Sequence, residues 1–211
     1  MKIAIIGAGN VGSALGKKWS EKGHSITYGV RNTNDEKYAK LNEHANLSLP
    51  KDAVDQSEII VLATPWSSTQ QAIESLGTSI QNKILVDCTN PLKPNLAGLE
   101  HCGETSGAEQ VAKWASGAIV VKSFNTTGYN IMSSPEINGQ KTAMFVASDN
   151  ENARKAVAKL AQDIGFEAVE MGELASARLL EPYALMWISL AYKYGFGRDF
   201  GFAIHKRNTL D

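Results

Sequence analysis

The stretch of sequence that decides the fold is KIAIIGAGNVG, residues 2–12. Residues 2–6 are almost entirely apolar and rich in β-branched side chains, which is typical of a buried strand. The motif G-x-G-x-x-G follows at once, with its glycines at Gly7, Gly9 and Gly12. A helix is predicted directly after it, over residues 11–22, because apolar side chains recur there at helical spacing. The chain therefore opens with a strand, a glycine loop and a helix.

The same rhythm of short apolar runs and amphipathic stretches continues along the chain. Strands are predicted at residues 2–6, 25–30, 58–64, 83–89, 118–124, 142–147 and 166–171. Helices are predicted at residues 11–22, 35–45, 68–76, 106–116, 150–164 and 174–194. This alternation indicates an α/β fold of Rossmann type, with a mostly parallel sheet flanked by helices. We expect a Rossmann domain over residues 1–172. Residues 173–211 form a C-terminal helical extension that packs on the same domain or on a partner subunit.

Composition excludes several classes of function. The 211 residues include 21 basic and 22 acidic side chains, which gives a net charge of −1. This balance does not indicate binding to nucleic acid or to an anionic membrane. No secretory signal is recognisable, and no apolar run approaches the roughly 18 residues of a membrane helix. The two cysteines, Cys88 and Cys102, are expected to be free thiols, and the scattered histidines predict no metal site. We therefore expect a cytoplasmic protein.

The glycine loop predicts a binding site for a dinucleotide. Gly7 permits a tight turn, Gly9 lets the backbone approach a pyrophosphate, and Gly12 lets the helix pack closely on the strand. The N-terminus of the helix carries unpaired N–H groups and a partial positive charge, which together favour a diphosphate. The alternative is a glycine-rich turn without a ligand. The predicted cofactor contacts in this loop are Gly7, Ala8, Gly9, Asn10 and Val11.

The end of the second strand distinguishes NAD from NADP. Enzymes that use NAD carry a carboxylate there for the ribose hydroxyls, whereas this strand is followed by Arg31 and Asn32. A guanidinium can form charge-assisted bonds to the 2′-phosphate of NADP. Val30, Arg31 and Asn32 are therefore predicted to bind NADPH. The alternative for Arg31 is a solvated surface charge.

Three further strand ends carry polar or turn residues. Ligands of open parallel sheets lie outside the carboxyl ends of the strands, so these segments are predicted to face the cofactor and its redox partner. The predicted cofactor contacts are Thr64, Pro65, Trp66, Asn90 and Pro91, and the predicted substrate contacts are Asn125 and Thr126. The alternative is that the Asn-Pro and Asn-Thr pairs only build turns.

The sequence predicts no catalytic acid or base. Lys122 lies in an apolar strand, and we expect its stem to pack while its ammonium group reaches solvent. The alternative is that Lys122 contacts the substrate. Cys88 is expected to be a buried structural thiol. Hydride transfer between two ring cofactors depends on alignment more than on a protein base, so this absence is compatible with redox chemistry.

The sequence resembles the F420-dependent NADP oxidoreductases, a family that also includes the reductase domain of the STEAP metalloreductases. The resemblance spans nearly the whole chain. It is carried by GAGNVG (7–12), YGVRN (28–32), VLATPW (61–66), KSFNTTG (122–128), MFVASDN (144–150) and the run from Gly172 to Phe202. It implies a dimer that binds NADPH on the glycine loop, with the nicotinamide near Pro65, Trp66 and Asn90. A deazaflavin, coenzyme F420, or a flavin would then stack near Asn125 and Thr126.

Hydride transfer between NADP(H) and such an acceptor is therefore the predicted function. One alternative is an NADP-dependent dehydrogenase of a small hydroxy acid or imine. Such enzymes need a large second helical domain, and only 39 residues (211 − 172) follow residue 172. Another alternative is a non-catalytic redox sensor that binds NADPH and signals through a partner.

Overall fold

Six parallel strands form the main sheet in the computed structural model, which describes residues 1–207. The strands are β1 (Lys2–Ile6), β2 (Ser25–Gly29), β3 (Asn46–Ser48), β4 (Ile59–Leu62), β5 (Ile84–Asp87) and β6 (Ile119–Lys122). Their order across the sheet is β3-β2-β1-β4-β5-β6, and all five pairings are parallel. This is the strand order of the Rossmann fold, so the predicted fold class is confirmed.

Helices cover both faces of this sheet. They are α1 (Asn10–Glu21), α2 (Pro50–Asp55), α3 (Trp66–Leu76), α4 (Gly107–Trp114), α5 (Tyr129–Ser133), α6 (Glu151–Asp163) and α7 (Ala177–Tyr192). Strand β1 shows the consequence, because Ile3 and Ile5 join one buried apolar cluster while Ala4 and Ile6 join a second. A strand with both faces covered needs apolar side chains at every position, which explains its unbroken apolar run.

The last strands lie outside the main sheet. Strands β9 (Ala143–Val146) and β10 (Glu167–Glu170) pair in parallel, and a single antiparallel bridge between Lys122 and Ala147 links them to β6. Just before them, β7 (Glu136–Ile137) and β8 (Gln140–Lys141) form a short antiparallel hairpin. The predicted strands at 142–147 and 166–171 are therefore confirmed, while the hairpin and α5 were not predicted.

The polar helix predicted at residues 35–45 is wrong in type and length. The structure has a short 3-10 helix at Glu36–Leu41, started by the Asp35 side chain, which accepts a hydrogen bond from the Lys37 N–H at 3.1 Å. Within that helix only Leu41 is buried, so too few apolar contacts exist to sustain a longer amphipathic helix. The unpredicted β3 and α2 follow it.

Helix α7 begins after a 3-10 turn at Leu174–Ser176, and Pro182 lies inside it. Its apolar side chains divide into two groups. Leu180 and Trp187 are buried in the chain's own core, whereas Leu179 and Met186 are 65% and 46% exposed. The helix packs on α4 of the same chain, so its inner face belongs to the core while its outer face is solvent-exposed.

Three sequence expectations can be compared directly with residues 1–207. Both cysteines are free, with Cys88 buried and Cys102 exposed. Across the described part of the chain, no three histidine, cysteine or acidic side chains gather as metal ligands would. None of its helices has both the length and the apolar character needed to cross a membrane.

Candidate cofactor site

The three glycines of the opening loop have different surroundings. Gly7 has φ +107°, and a Cβ built on it would lie 2.4 Å from the carbonyl oxygen of Ala63 on the neighbouring strand end. A Cβ on Gly12 would lie 2.0 Å from the carbonyl oxygen of Gly7. Gly9 differs, because a Cβ there would meet nothing within 4 Å. Gly7 and Gly12 are therefore required by packing, while Gly9 borders open space beside the helix.

The N-terminus of α1 lacks side-chain capping. Its N-cap residue is Gly9, no side chain of residues 1–207 accepts a hydrogen bond from the first turn, and that turn contains no acidic residue. The first N–H groups of a helix need acceptors, and the helix dipole favours an anion at this end. Asn10 is exposed there, and Ala8 and Val11 are half-buried. This corner has the chemistry of a phosphate-binding site.

A cationic corner follows β2. Val30 is buried, and its N–H donates to the carbonyl oxygen of Ser48 at 2.9 Å, which fixes the end of the strand. Arg31 and Asn32 come next and are both exposed. No ion pair of Arg31 occurs within residues 1–207, whereas nearby Lys37 pairs with Asp35 at 2.5 Å. The Arg31 guanidinium is therefore available to an external anion.

The segment after β4 builds the start of α3. The hydroxyls of Thr64 and Thr69 lie 2.9 Å apart, and Thr69 donates to the carbonyl oxygen of Pro65 at 3.1 Å. Trp66 turns toward a different neighbour, since its indole N–H donates to the Glu100 carboxylate at 2.7 Å. Its ring also contacts the ring of Trp114, with centroids 5.3 Å apart. Trp66 thus packs against α4 and the loop that precedes it.

Two predicted site residues from neighbouring strand ends are bonded to each other. The Asn90 amide donates to the backbone carbonyl of Asn125 at 2.9 Å, and the Asn125 amide donates to the Asn90 side-chain oxygen at 3.1 Å. Pro91 is buried next to Gly107 at the start of α4. The structure therefore brings Asn90 and Asn125 together, as their strand-end positions predicted.

The segment after β6 contains unsatisfied polar atoms. Within residues 1–207, three buried side-chain oxygens have no hydrogen-bond partner, namely those of Asn125 (Oδ1), Thr127 (Oγ1) and Asn130 (Oδ1). All three belong to residues 125–130. The side chain of Thr126 is buried among them against the Met144 sulfur, 3.9 Å from its hydroxyl. Buried oxygens normally have a hydrogen-bond partner, so each of these three atoms is a candidate acceptor for a bound molecule or a water.

Comparison with known proteins shows what this site is similar to. Residues 2–91, which include the glycine loop and the first strand ends, match the family described as NADP oxidoreductase, coenzyme F420-dependent. The match covers 90 (91 − 2 + 1) of the 211 residues. NADP-dependent oxidoreductase is therefore the enzyme class that the comparisons support.

Individual similar proteins extend the similarity beyond residue 91. The F420-dependent NADP reductase of Methanothermobacter marburgensis is 27% identical over 92% of this chain and 93% of that protein. A crystal structure from Arthrobacter sp. FB24, provisionally named an F420-dependent NADP reductase, superposes with a TM-score of 0.87 at 29% identity, covering 98% of this chain and 100% of that one. Rat metalloreductase STEAP3 is 29% identical over 87% of this chain. The chain spans 36% of the length of that relative.

The predicted exposure of the Lys122 ammonium group is wrong. Its side chain is fully buried, and its ammonium group lies 2.9 Å from an Asp87 oxygen and 3.0 Å from a Glu181 oxygen. It also donates to the carbonyl oxygen of Thr89 at 2.6 Å. Burial opposes the charged ammonium form, but Asp87 and Glu181 outweigh that effect, so the pKa of Lys122 is raised. The head group therefore stays charged in the interior instead of reaching solvent.

Asp87 and Glu181, which form a buried charge cluster with Lys122, accept hydrogen bonds from neighbouring backbone groups. One oxygen of Asp87 accepts from the N–H of Thr89 at 2.9 Å and from its hydroxyl at 2.7 Å. The Glu181 carboxylate accepts from the N–H groups of Gly107 and Ala108 at 2.8 and 3.0 Å, at the start of α4. Two carboxylates face one ammonium, and the positive end of the α4 dipole offsets part of the excess negative charge.

The sequence contains a signal for this cluster, but recognising it requires knowing the order of the strands in the sheet. Asp87 and Lys122 each end an otherwise apolar strand, and they are direct partners in the β5–β6 register. Glu181 is an isolated charge on the apolar face of α7.

Cys88 is buried, as predicted. Burial together with the Asp87 charge raises the pKa of its thiol, which keeps the thiol protonated.

Proposed function

We propose that this protein transfers hydride between NADP(H) and a deazaflavin- or flavin-like acceptor. The observation that carries the proposal is the open space at Gly9 beside the uncapped N-terminus of α1. A backbone that borders open space at this point accepts a pyrophosphate without steric conflict. The residues around it fit the cofactor, because Arg31 supplies an available cation at the corner where a 2′-phosphate needs one.

Each part of the site has a task in this proposal. The first N–H groups of α1 bind the pyrophosphate, and Arg31 together with Asn32 binds the 2′-phosphate. Thr64, Pro65, Asn90 and Pro91 line the path toward the nicotinamide at the neighbouring strand ends. The bound nicotinamide supplies or accepts the hydride, so the protein contributes alignment and exclusion of water. Asn90 suits alignment, since its amide is fixed by Asn125.

The oxygens without hydrogen-bond partners in residues 125–130 support a binding place for the hydride acceptor at this segment. Flavins and deazaflavins carry a ring N–H on their pyrimidine edge, which can donate to an amide or hydroxyl oxygen. Asn125 and Thr127 offer such oxygens, which no donor in the described part of the chain reaches. Thr126 contributes through its backbone and through packing, because its side chain is buried.

Anaerobic oxidation of NADPH with four acceptors compared side by side tests this function. The acceptors are a deazaflavin, FMN, FAD and a ferric chelate. We expect the deazaflavin to give the highest kcat/KM and the ferric chelate the lowest. No oxidation of NADPH by any of them would contradict the proposal and favour a binding protein that senses NADPH.

Replacement of Arg31 by alanine tests the preference for NADPH. We expect Arg31→Ala to weaken NADPH binding by about 1–3 kcal/mol, the loss typical of a hydrogen bond to a charged group. Binding of NADH should change little, because NADH has no 2′-phosphate. Lys37→Ala is the matched control, since it removes a nearby cation that is already paired with Asp35. Equal losses for NADPH and NADH in titration calorimetry would refute the assignment of Arg31.

We also propose that residues 173–211 act as an extension that joins two copies of the chain. The exposed apolar side chains at this end support it, namely Leu179, Met186, Tyr192, Tyr194 and Phe196. Five large apolar side chains left exposed on one segment favour an interaction site over a free surface. Light scattering after size exclusion should give twice the chain mass of 22.8 kDa. A monomer at micromolar concentration would contradict the dimer.

A further inference from the structure

The loop that carries Asn90 is fixed by the buried cluster beneath it. The N–H, the hydroxyl and the carbonyl of Thr89 are all bonded to the cluster, the first two to Asp87 and the third to Lys122. Both hydrogen-bond donors of Thr89 are therefore engaged by Asp87. Its bonds hold the backbone from which the next residue, Asn90, extends.

The same cluster connects this loop to the final helix. Glu181 on α7 contacts the Lys122 ammonium at 3.0 Å and accepts both N–H groups at the start of α4. Beside it, Asn125 donates to the carbonyl of Leu180, the residue before Glu181. The loop, β6, α4 and α7 thus meet at one carboxylate that is 1% exposed.

We propose that Glu181 and Lys122 are positioning residues for the nicotinamide half of the cofactor site. They act through Thr89 on Asn90, and they leave the adenosine half at α1 and Arg31 untouched. The inference rests on the proposed function, because it assumes that the ends of β5 and β6 face the nicotinamide. A purely structural role would affect both halves of the site or neither.

Glu181→Gln is the sharpest change available. Both oxygens of Glu181 accept hydrogen bonds, Oε1 from Lys122 and Ala108 and Oε2 from Gly107. A glutamine must place its NH₂ group against one of these donors in either orientation, so it disturbs the cluster while keeping the size of the side chain. Lys122 keeps Asp87 as its counter-ion.

The matched control is Glu109→Gln. Glu109 lies at the same α4–α7 contact, where it pairs with Arg178 through bonds of 2.6 and 2.9 Å, but it does not touch Lys122 or Thr89. Both variants lose one carboxylate that bonds α4 to α7. They differ in whether that carboxylate connects to the loop that carries Asn90.

Titration calorimetry with two ligands separates the halves of the site. NADPH spans the whole site, whereas adenosine 2′,5′-bisphosphate occupies only the adenosine half. For Glu181→Gln we expect the Kd of NADPH to rise about tenfold, the factor that corresponds to one lost hydrogen bond of about 1.4 kcal/mol. The Kd of the bisphosphate should stay within about twofold of the wild-type value, and Glu109→Gln should change neither.

Equal shifts for both ligands, or no shift for NADPH, would overturn the inference. Should Glu181→Gln fail to fold, Thr89→Val takes its place, because it removes only the hydroxyl bond to Asp87 and keeps the shape of the side chain. The same pattern, with a smaller shift for NADPH, is then expected. Wild-type protein that binds neither ligand would instead refute the proposed function itself.

Discussion

Replacement of Lys122 by methionine is expected to destabilise the protein by about 3–5 kcal/mol, the usual cost of removing one partner from a buried ion pair. The reason is that Asp87 and Glu181 are left in the interior without their shared cation. For a chain of this size the loss corresponds to a fall in Tm of roughly 10 °C. Chemical denaturation, monitored by tryptophan fluorescence, measures the change in free energy of unfolding.

Lys155→Met provides the control for this experiment. Lys155 pairs with Glu151 on α6, but both side chains are more than 60% exposed, so its loss should leave the free energy of unfolding almost unchanged. The pKa of Lys122 is raised in the folded protein, so its ammonium group is charged at every pH below the ordinary lysine pKa. Its contribution to stability is therefore fully present at pH 6 and at pH 8, and is lost only as the pH rises through the folded-state pKa. A cost for Lys122→Met as small as that for Lys155→Met would contradict the buried pairing.

Gly12→Ala and Gly9→Ala are expected to have opposite consequences. The Cβ of Gly12→Ala would overlap the carbonyl oxygen of Gly7 at 2.0 Å and lie 3.0 Å from Ile5, so backbone must move. We expect a loss of about 3 kcal/mol in the free energy of unfolding. Gly9→Ala meets no atom within 4 Å and should change stability by less than about 1 kcal/mol.

For NADPH binding, Gly9→Ala is expected to have the informative effect. In Gly9→Ala the added methyl group occupies the space that we assign to the pyrophosphate, so the Kd of NADPH should rise about tenfold or more. The variant is thus expected to unfold like the wild type and yet bind poorly. Thermal unfolding in the presence and absence of NADPH measures both properties. Tight binding by Gly9→Ala would mean that the diphosphate does not lie at this glycine.

The part of the fold that the sequence predicted is the part set by local rules. A glycine loop between a strand and a helix leaves few alternatives, because Gly7 turns with a φ of +107° and Gly12 packs directly on the carbonyl of Gly7. The long apolar strands could be predicted from the sequence equally well. Strand β3 was missed because it has only three residues, and its place beside β2 depends on pairing with Thr27 nineteen positions (46 − 27) earlier.

The candidate site was predictable only where its residues follow strand ends. Asn90 and Asn125 satisfy that rule, and they form the expected neighbouring pair. Lys122 does not, since it lies within strand β6, and one of its two partners is Glu181 on the last helix, 59 positions (181 − 122) away in sequence. Its charge in an apolar strand was visible, but which carboxylates would meet it depended on the packing of α7. Trp66 is a similar case, because its contact with Glu100 arises from loop packing.

Titration of the wild-type protein with NADPH and with NADH in a calorimeter tests the central claim most directly. With a pyrophosphate at the N-terminus of α1 and a 2′-phosphate at Arg31, NADPH should saturate the protein at micromolar concentrations and bind at least about fivefold more tightly than NADH. Absence of any binding heat with NADPH up to millimolar concentration would contradict the account.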